Sequence, residues 1–185
     1  MIGHIFVRQA QPDDAEQIYQ VLATSVRTLC ASDYTSEQLE AAIGNSNVEF
    51  YQRAIAQKCM AIFVADAGYA VIGFASLCNT LLGDLFVHPL YVRRGVGTSL
   101  LAAVEGEAMH RNIDKLRVTA SITAQPFYLS RGYQFIKDSF VTNSETGVQV
   151  PCVDMEKWLC SPAELTRQTP RRASPTTKRM KISPL

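Results

Sequence analysis

The stretch Val87-His88-Pro89-Leu90-Tyr91-Val92-Arg93-Arg94-Gly95-Val96-Gly97-Thr98-Ser99-Leu100-Leu101 constrains this chain most, because an apolar strand passes through a basic, double-glycine turn directly into a helix. Glycines at 95 and 97 remove the Cβ atoms that would hold a phosphate away from the main chain, so successive N–H groups can turn toward an anion. The new helix adds the positive end of its dipole. Arg93 and Arg94 bring full charges beside it, and the expectation is a pyrophosphate cradle. A Walker A loop does not fit, since Gly97 is followed by Thr98 with no lysine. A dinucleotide-binding turn does not fit either: Leu100 stands where its third glycine belongs, and Asp114 precedes the next strand instead of ending it.

The second signal is Ser121-Ile122-Thr123-Ala124-Gln125-Pro126-Phe127-Tyr128-Leu129-Ser130-Arg131-Gly132-Tyr133-Gln134-Phe135. A β-branched strand meets a short helix in which Pro126 is tolerable only in the first turn, and Gly132 supplies a left-handed stop before a strand from Gln134 to Val141. Together the two segments resemble motifs A and B of the GNAT superfamily, the acyl-CoA-dependent N-acyltransferases. The resemblance runs from Arg8 to about Trp158 and includes Val7-Arg8-Gln9-Ala10-Gln11-Pro12-Asp13-Asp14-Ala15 as the family's first strand and first helix start. Ala120-Ser121-Ile122-Thr123-Ala124-Gln125-Pro126-Phe127, with Ser32-Asp33-Tyr34-Thr35-Ser36-Glu37-Gln38-Leu39, looks like one subgroup of small bacterial acetyltransferases, mostly without a defined acceptor.

The resemblance implies an α/β (α+β) GNAT fold: a mixed, mostly antiparallel sheet of six to seven strands flanked by helices and splayed between its central strands to admit acyl-CoA. It places pantetheine along the end of Asp84 to Val87, with Phe86 and Val87 in contact. The pyrophosphate falls on Val92, Arg93, Arg94, Gly95, Val96, Gly97, Thr98 and Ser99, and the thioester beside Phe127. Val92 stands where the family commonly has Gln or Arg, so only its backbone is assigned a role. A β-branched substitution at Gly97 would block phosphate approach and strain any left-handed φ there.

Tyr128 occupies the position of the family's tyrosine, which donates a proton to the CoA sulfur; the bland reading is a core aromatic beside Phe127. The base is harder to place. Asp84 is the acidic candidate on the fourth strand, yet simple alternation puts Gly83 and Leu85 on the side of Val87 and Asp84 on the other, unless a bulge reverses it. Asp33, Tyr34 and Glu37 lie on the segment expected to flank the acceptor cleft. His88, before Pro89, reads as a turn residue, and Cys59 and Cys78 as inert thiols in strands. The histidines at 4, 88 and 110 assemble no nucleophile–base constellation. The expected reaction is direct acetyl transfer from acetyl-CoA to an amine of a small molecule or peptide, without metal. The alternative is a non-catalytic acyl-CoA-binding module, and a homodimer is left open.

Composition sets the limits. With 185 residues and 47% hydrophobic content the chain can bury one good core. It has no apolar run of the ~18 residues a membrane span needs, and Met1-Ile2-Gly3-His4 does not open a signal peptide, so a cytoplasmic address is expected. Five cysteines without a C-x-x-C indicate neither a disulfide framework nor a zinc site. Residues 1 to 160 carry 12 Lys/Arg against 16 Asp/Glu, a net of −4, and form the expected domain; 161 to 185 carry 6 against 1, a net of +5, with four prolines and no aromatic residue. That tail is expected to be disordered and solvated, with nucleic-acid binding disfavoured. Deleting Ser161 to Leu185 should leave melting temperature and CoA affinity unchanged; a loss of several degrees would place the domain boundary elsewhere.

Periodicity supplies the elements: a strand Ile5 to Gln9, a helix from Pro12 to about Leu29 with Ile18, Val21, Leu22 and Val26 on one face, and a capping box at Thr35-Ser36-Glu37-Gln38 opening a second helix. A helical patch follows over Val48 to Gln57. Strands are expected over 60–65, 70–78, 82–87, 116–120, 134–141 and 148–157, with Leu100, Leu101, Val104 and Ala108 as the buried stripe of the helix after the cradle.

Overall fold

The computed structural model describes residues 5–44, 46–56 and 60–159. The basic tail, His4 and Cys59 lie outside them. Seven strands form one sheet: β1 (Phe6–Gln9), β2 (Met60–Asp66), β3 (Val71–Cys78), β4 (Leu81–Val87), β5 (Lys115–Ser121), β6 (Gln134–Thr142) and β7 (Gln149–Trp158), in the order β1-β2-β3-β4-β5-β7-β6. Every neighbouring pair is antiparallel except β4 and β5. This is the expected mixed sheet, and β3, third in that order, is buried along nearly its whole length.

Helices cover both faces. Helices α1 (Ala15–Leu29), α2 (Ser36–Gly44) and α3 (Val48–Ala56) pack Ile18, Val21, Leu22, Val26, Leu39 and Tyr51 with Val64 and Phe74 of the sheet. On the other face α4 (Val96–His110) sets Leu100, Leu101, Val104 and Ala108 against Leu77, Leu82, Leu116 and Met155, and the short α5 (Gln125–Leu129) adds Tyr128. The stripes expected on α1 and α4 are the faces that are buried. None of the described helices is long and apolar enough to cross a membrane.

The ends of these helices show how sequence fixes position. Thr35 and Gln38 form the expected capping box: Gln38 N donates to Thr35 Oγ1 at 3.2 Å and Thr35 N to Gln38 Oε1 at 3.1 Å. The first helix differs slightly from expectation, because Pro12–Asp14 is a tighter 3-10 turn before α1 proper. Asp14 accepts from Gln11 N at 2.7 Å while its two oxygens grip the Arg8 guanidinium at 2.7 and 2.9 Å. That charge pairing holds the buried Asp14 carboxyl below its ordinary range and pins β1 to the helix start.

The feature that positions the site is where sheet pairing stops. Strands β4 and β5 pair only at Leu81 with Arg117 and Leu82 with Val118, whereas β5 and β7 pair from Lys115 through Ser121. Beyond Leu82 the two central strands part, so Gly83 to Val87 present an edge without a strand neighbour. The splay implied by the resemblance is therefore present.

Candidate active site

The double-glycine turn leads directly into α4, and its two glycines differ in conformation. Arg93 and Gly95 both adopt left-handed backbone, at φ 62° and 83°, and Gly95 is the N-cap of α4. Gly97 is the second residue of that helix and is not left-handed, so its glycine serves close approach and not an unusual φ. A Cβ there would stand 3.6 Å from the Phe127 ring and 3.6 Å from Val87 Cγ2. No side chain caps this helix end, and the Ser99 N–H is already bonded to Gly95 O at 3.0 Å. The N–H groups of Val96, Gly97 and Thr98 are thus the first-turn donors that a helix leaves for an external acceptor.

Positive charge gathers around this end. Arg93 and Arg94 are exposed, and Arg94 sits 5.4 Å over the Tyr91 ring. Arg131 donates to Thr98 Oγ1 at 2.7 Å and lies 5.7 Å from the Phe127 ring centre. Sequence reasoning missed Arg131 at the cradle; its signal was a cation directly before the glycine that ends the second motif. Val92 is half-buried and extended, consistent with a backbone role alone.

The open edge of β4 has a defined polarity. His88 N donates to Ile72 O, so its backbone groups face β3, and by alternation those of Leu85 and Val87 face the gap toward β5. Ser25 of α1 donates to Val87 O at 2.8 Å, which occupies that carbonyl and leaves the Leu85 and Val87 N–H groups and the Leu85 carbonyl directed into the splay. An extended ligand carrying amides could add here as a strand.

Asp84 is where simple alternation fails. Between Ala75 and Leu77 the β3–β4 register shifts: Leu85 pairs with Ala75 but Leu82 with Leu77, so Gly83 and Asp84 together oppose Ser76. This is a β-bulge. Ser76 holds it, its Oγ accepting from Asp84 N at 2.8 Å and donating to Asp84 Oδ2 at 3.2 Å. The bulge brings Asp84 into the wall of a cavity of about 240 Å3 that also includes Tyr128, correcting the expectation that it points away. Burial raises the Asp84 carboxyl to about 6 against the opposing pull of the Ser76 bond. Ser76 was the legible clue, a lone hydroxyl inside an otherwise apolar strand. A Cβ on Gly83 would meet Ser76 Oγ at 2.7 Å, so Gly83→Ala should disturb the clamp and lower the melting temperature.

Tyr128 faces Asp84 across the splay. It is 3% exposed, its ring packs edge-on against Phe127 and Tyr133, and burial with the nearby Asp84 charge raises its hydroxyl well above its ordinary range. Its position is set by the stop that follows. Gly132, at φ 86°, lets Tyr133 N reach Tyr128 O at 3.1 Å and Gly132 N reach Leu129 O at 3.1 Å, a Schellman closure of α5. Pro126 lies in the first turn of α5 as expected.

The acceptor side departs most from expectation. Of Asp33, Tyr34 and Glu37, only Tyr34 reaches the cavity wall, and its hydroxyl is engaged on both sides, donating to Pro151 O at 2.8 Å and accepting from Ile122 N at 2.7 Å. Burial pushes that phenol up to about 12. Asp33 instead accepts from Thr123 Oγ1 at 2.6 Å, and Glu37 is an exposed residue in the first turn of α2. Tyr34→Phe should remove two bonds that tie the α1–α2 connection to β7 and to the end of β5. The two buried backbone groups left behind should reduce stability by about 1–3 kcal/mol in a denaturant titration.

Cys30 and Cys152 line the cavity; of the two thiols weighed from sequence, Cys78 is not among its lining residues and Cys59 lies outside the described residues. Burial raises both thiols, which disfavours the thiolate an acyl carrier would need. His88 is a turn residue, its Nδ1 accepting from Leu90 N at 3.3 Å.

The whole arrangement has known relatives. The family model described as the acetyltransferase (GNAT) domain matches residues 30–159. This chain belongs to the GNAT acetyltransferases. It is 31% identical over 140 residues to YafP of Escherichia coli K12, named an uncharacterized N-acetyltransferase, covering 76% of this chain and 88% of that one. It is similar to the crystal structure of a GCN5-related N-acetyltransferase from Rhodopseudomonas palustris, with TM-score 0.78 and 29% identity over 85% of this chain and 98% of the other. The PaiA N-acetyltransferase of Thermoplasma acidophilum, solved with coenzyme A, shares the fold at TM-score 0.69 and 21% identity, covering 84% and 99%. The chain is a GNAT N-acetyltransferase, with the start of α4 and every lining residue of the Asp84–Tyr128 cavity except Val26 inside the matched span.

The cradle can be tested without an acceptor. In Gly97→Val the fold should persist, because the added Cβ meets only ordinary contacts. The branched methyls would nonetheless crowd the approach to the first-turn N–H groups. CoA should raise the melting temperature of the wild type and not of the variant; equal shifts would remove this helix end from the binding site.

Proposed function

We propose that this acetyltransferase moves the acetyl group of acetyl-CoA directly to an amine nitrogen held between Asp84 and Tyr128. The observation that carries the reading is that a bulged carboxylate on β4 and a buried phenol on α5 line one cavity at the point where the sheet opens. The residues present fit the donor: its diphosphate suits the uncapped start of α4 with Arg93, Arg94 and Arg131, and its amides suit the β4 edge at Leu85 and Val87. Bound there, acetyl-CoA supplies an activated thioester carbonyl.

The chain's own groups then divide the proton work. An amine of pKa near 10 is mostly charged at pH 7, so a base is required. Asp84 takes one proton from the ammonium, leaving the neutral amine whose nitrogen attacks the thioester carbonyl. Tyr128, kept protonated by its surroundings, gives its proton to the sulfur as the C–S bond breaks and regains one from the nitrogen, which sheds its second proton as the amide forms; much of the remaining advantage comes from holding both partners in place. The raised cavity thiols favour this single transfer over an acyl-cysteine route. Acid and base sharing one cavity favour catalysis over a bare binding module. The test is free-thiol release from acetyl-CoA by the purified full chain across an amine panel; acceptor-independent release would count against the reading.

A further inference from the structure

Resting on that reading, we infer that the acceptor is a small monoamine with an apolar body and no carboxylate or phosphate. Among the described residues lining the cavity Asp84 is the sole formally charged side chain, and none of them is Lys, Arg or His. Toward the helices the wall is Val26, Leu39, Ala42, Val141 and Val150. A ligand's ammonium has one partner there, and a ligand's anion has none.

Apart from Asp84 and Tyr128, which the transfer uses, the polar members of the wall are already engaged. Thr119 donates to Asp154 at 2.8 Å, and Ser121 accepts from Ala124 N at 3.2 Å. Gln38 accepts from Thr35 N and donates to Gln149 O at 3.4 Å, Cys152 donates to Val150 O, and the Tyr34 hydroxyl is bonded on both sides. An amino acid would therefore bury its carboxylate unpaired. A diamine would bury a second ammonium, since Asp33 and Glu37 lie outside the wall. A peptide amine would bring backbone groups that this wall does not satisfy. The apolar wall and its one carboxylate select an amine with one charge at one end.

Matched pairs separate these classes. With the full chain and acetyl-CoA, 2-phenylethylamine should exceed phenylalanine in kcat/KM by at least about 100-fold, and n-pentylamine should exceed cadaverine by at least about tenfold. Val141 is 42% exposed at the rim, so Val141→Arg adds a cation with little risk to folding. It should narrow the phenylalanine gap at least tenfold while leaving the CoA-induced melting shift unchanged. Equal or better use of phenylalanine or cadaverine would overturn the assignment and leave the acetyltransferase reading standing. So would CoA stabilisation without turnover of either monoamine. A gap unaltered in Val141→Arg would overturn the role of the wall. Absence of any CoA stabilisation would instead remove the cofactor reading, and this inference with it.

Discussion

Tyr128→Phe should lower kcat by about 10²–10⁴-fold while leaving CoA affinity nearly unchanged, the range typical of general acid catalysis. The hydroxyl is assigned to the departing sulfur, whose negative charge exists only as the reaction proceeds, so removing it acts on the transition state and not on binding. Packing should survive, because the ring's edge contacts with Phe127 and Tyr133 do not involve the hydroxyl and α5 is closed through backbone bonds at Gly132 and Tyr133. Steady-state turnover on a working amine, set beside CoA titration of the same variant, checks this. Wild-type kcat would reduce Tyr128 to a packing residue.

Asp84→Asn should have an effect of similar size on turnover and should raise stability above pH 6. The wild-type kcat/KM should fall as pH drops through about 6, where Asp84 becomes protonated, and the variant should lack that limb. The sign of the stability effect follows from the same shift. The Asp84 pKa is raised from 3.8 unfolded to about 6 folded, so its protonated form favours the fold below about pH 4, and that contribution is lost as pH rises through 6. At pH 7.5 the buried carboxylate opposes folding by up to about 3 kcal/mol. Asn removes the charge and should raise the melting temperature there but not at pH 4. An acid limb retained in the variant would assign the titration to another group.

Local chemistry made much of this fold legible. The Gly95 cap, the Pro126 first turn, the Gly132 stop and the Thr35–Gln38 box are each fixed by residues a few positions apart, and each is where the sequence indicates. Asp84 shows where that approach fails. Its facing depends on Ser76, eight residues away across a strand pair, and a one-residue bulge reverses what period-two alternation implies. The acceptor wall was less legible still. Tyr34 meets Pro151 across 117 residues, and Cys30 and Cys152 come together only once β7 inserts between β5 and β6. Asp33 and Glu37 were plausible by charge, but burial and competing hydrogen bonds, which sequence spacing does not encode, decide which groups face a ligand.

The central claim is that acetyl-CoA lies in the opening between β4 and β5 with its diphosphate on the start of α4. Residue-resolved amide hydrogen exchange of the full chain, with and without CoA, measures this most directly. Leu85 and Val87 on the open β4 edge, together with Val96, Gly97 and Thr98 in the first turn of α4, should become strongly protected, while the β6 edge strand stays unchanged. Saturating CoA that left those five amides exchanging at their free rates would contradict the account.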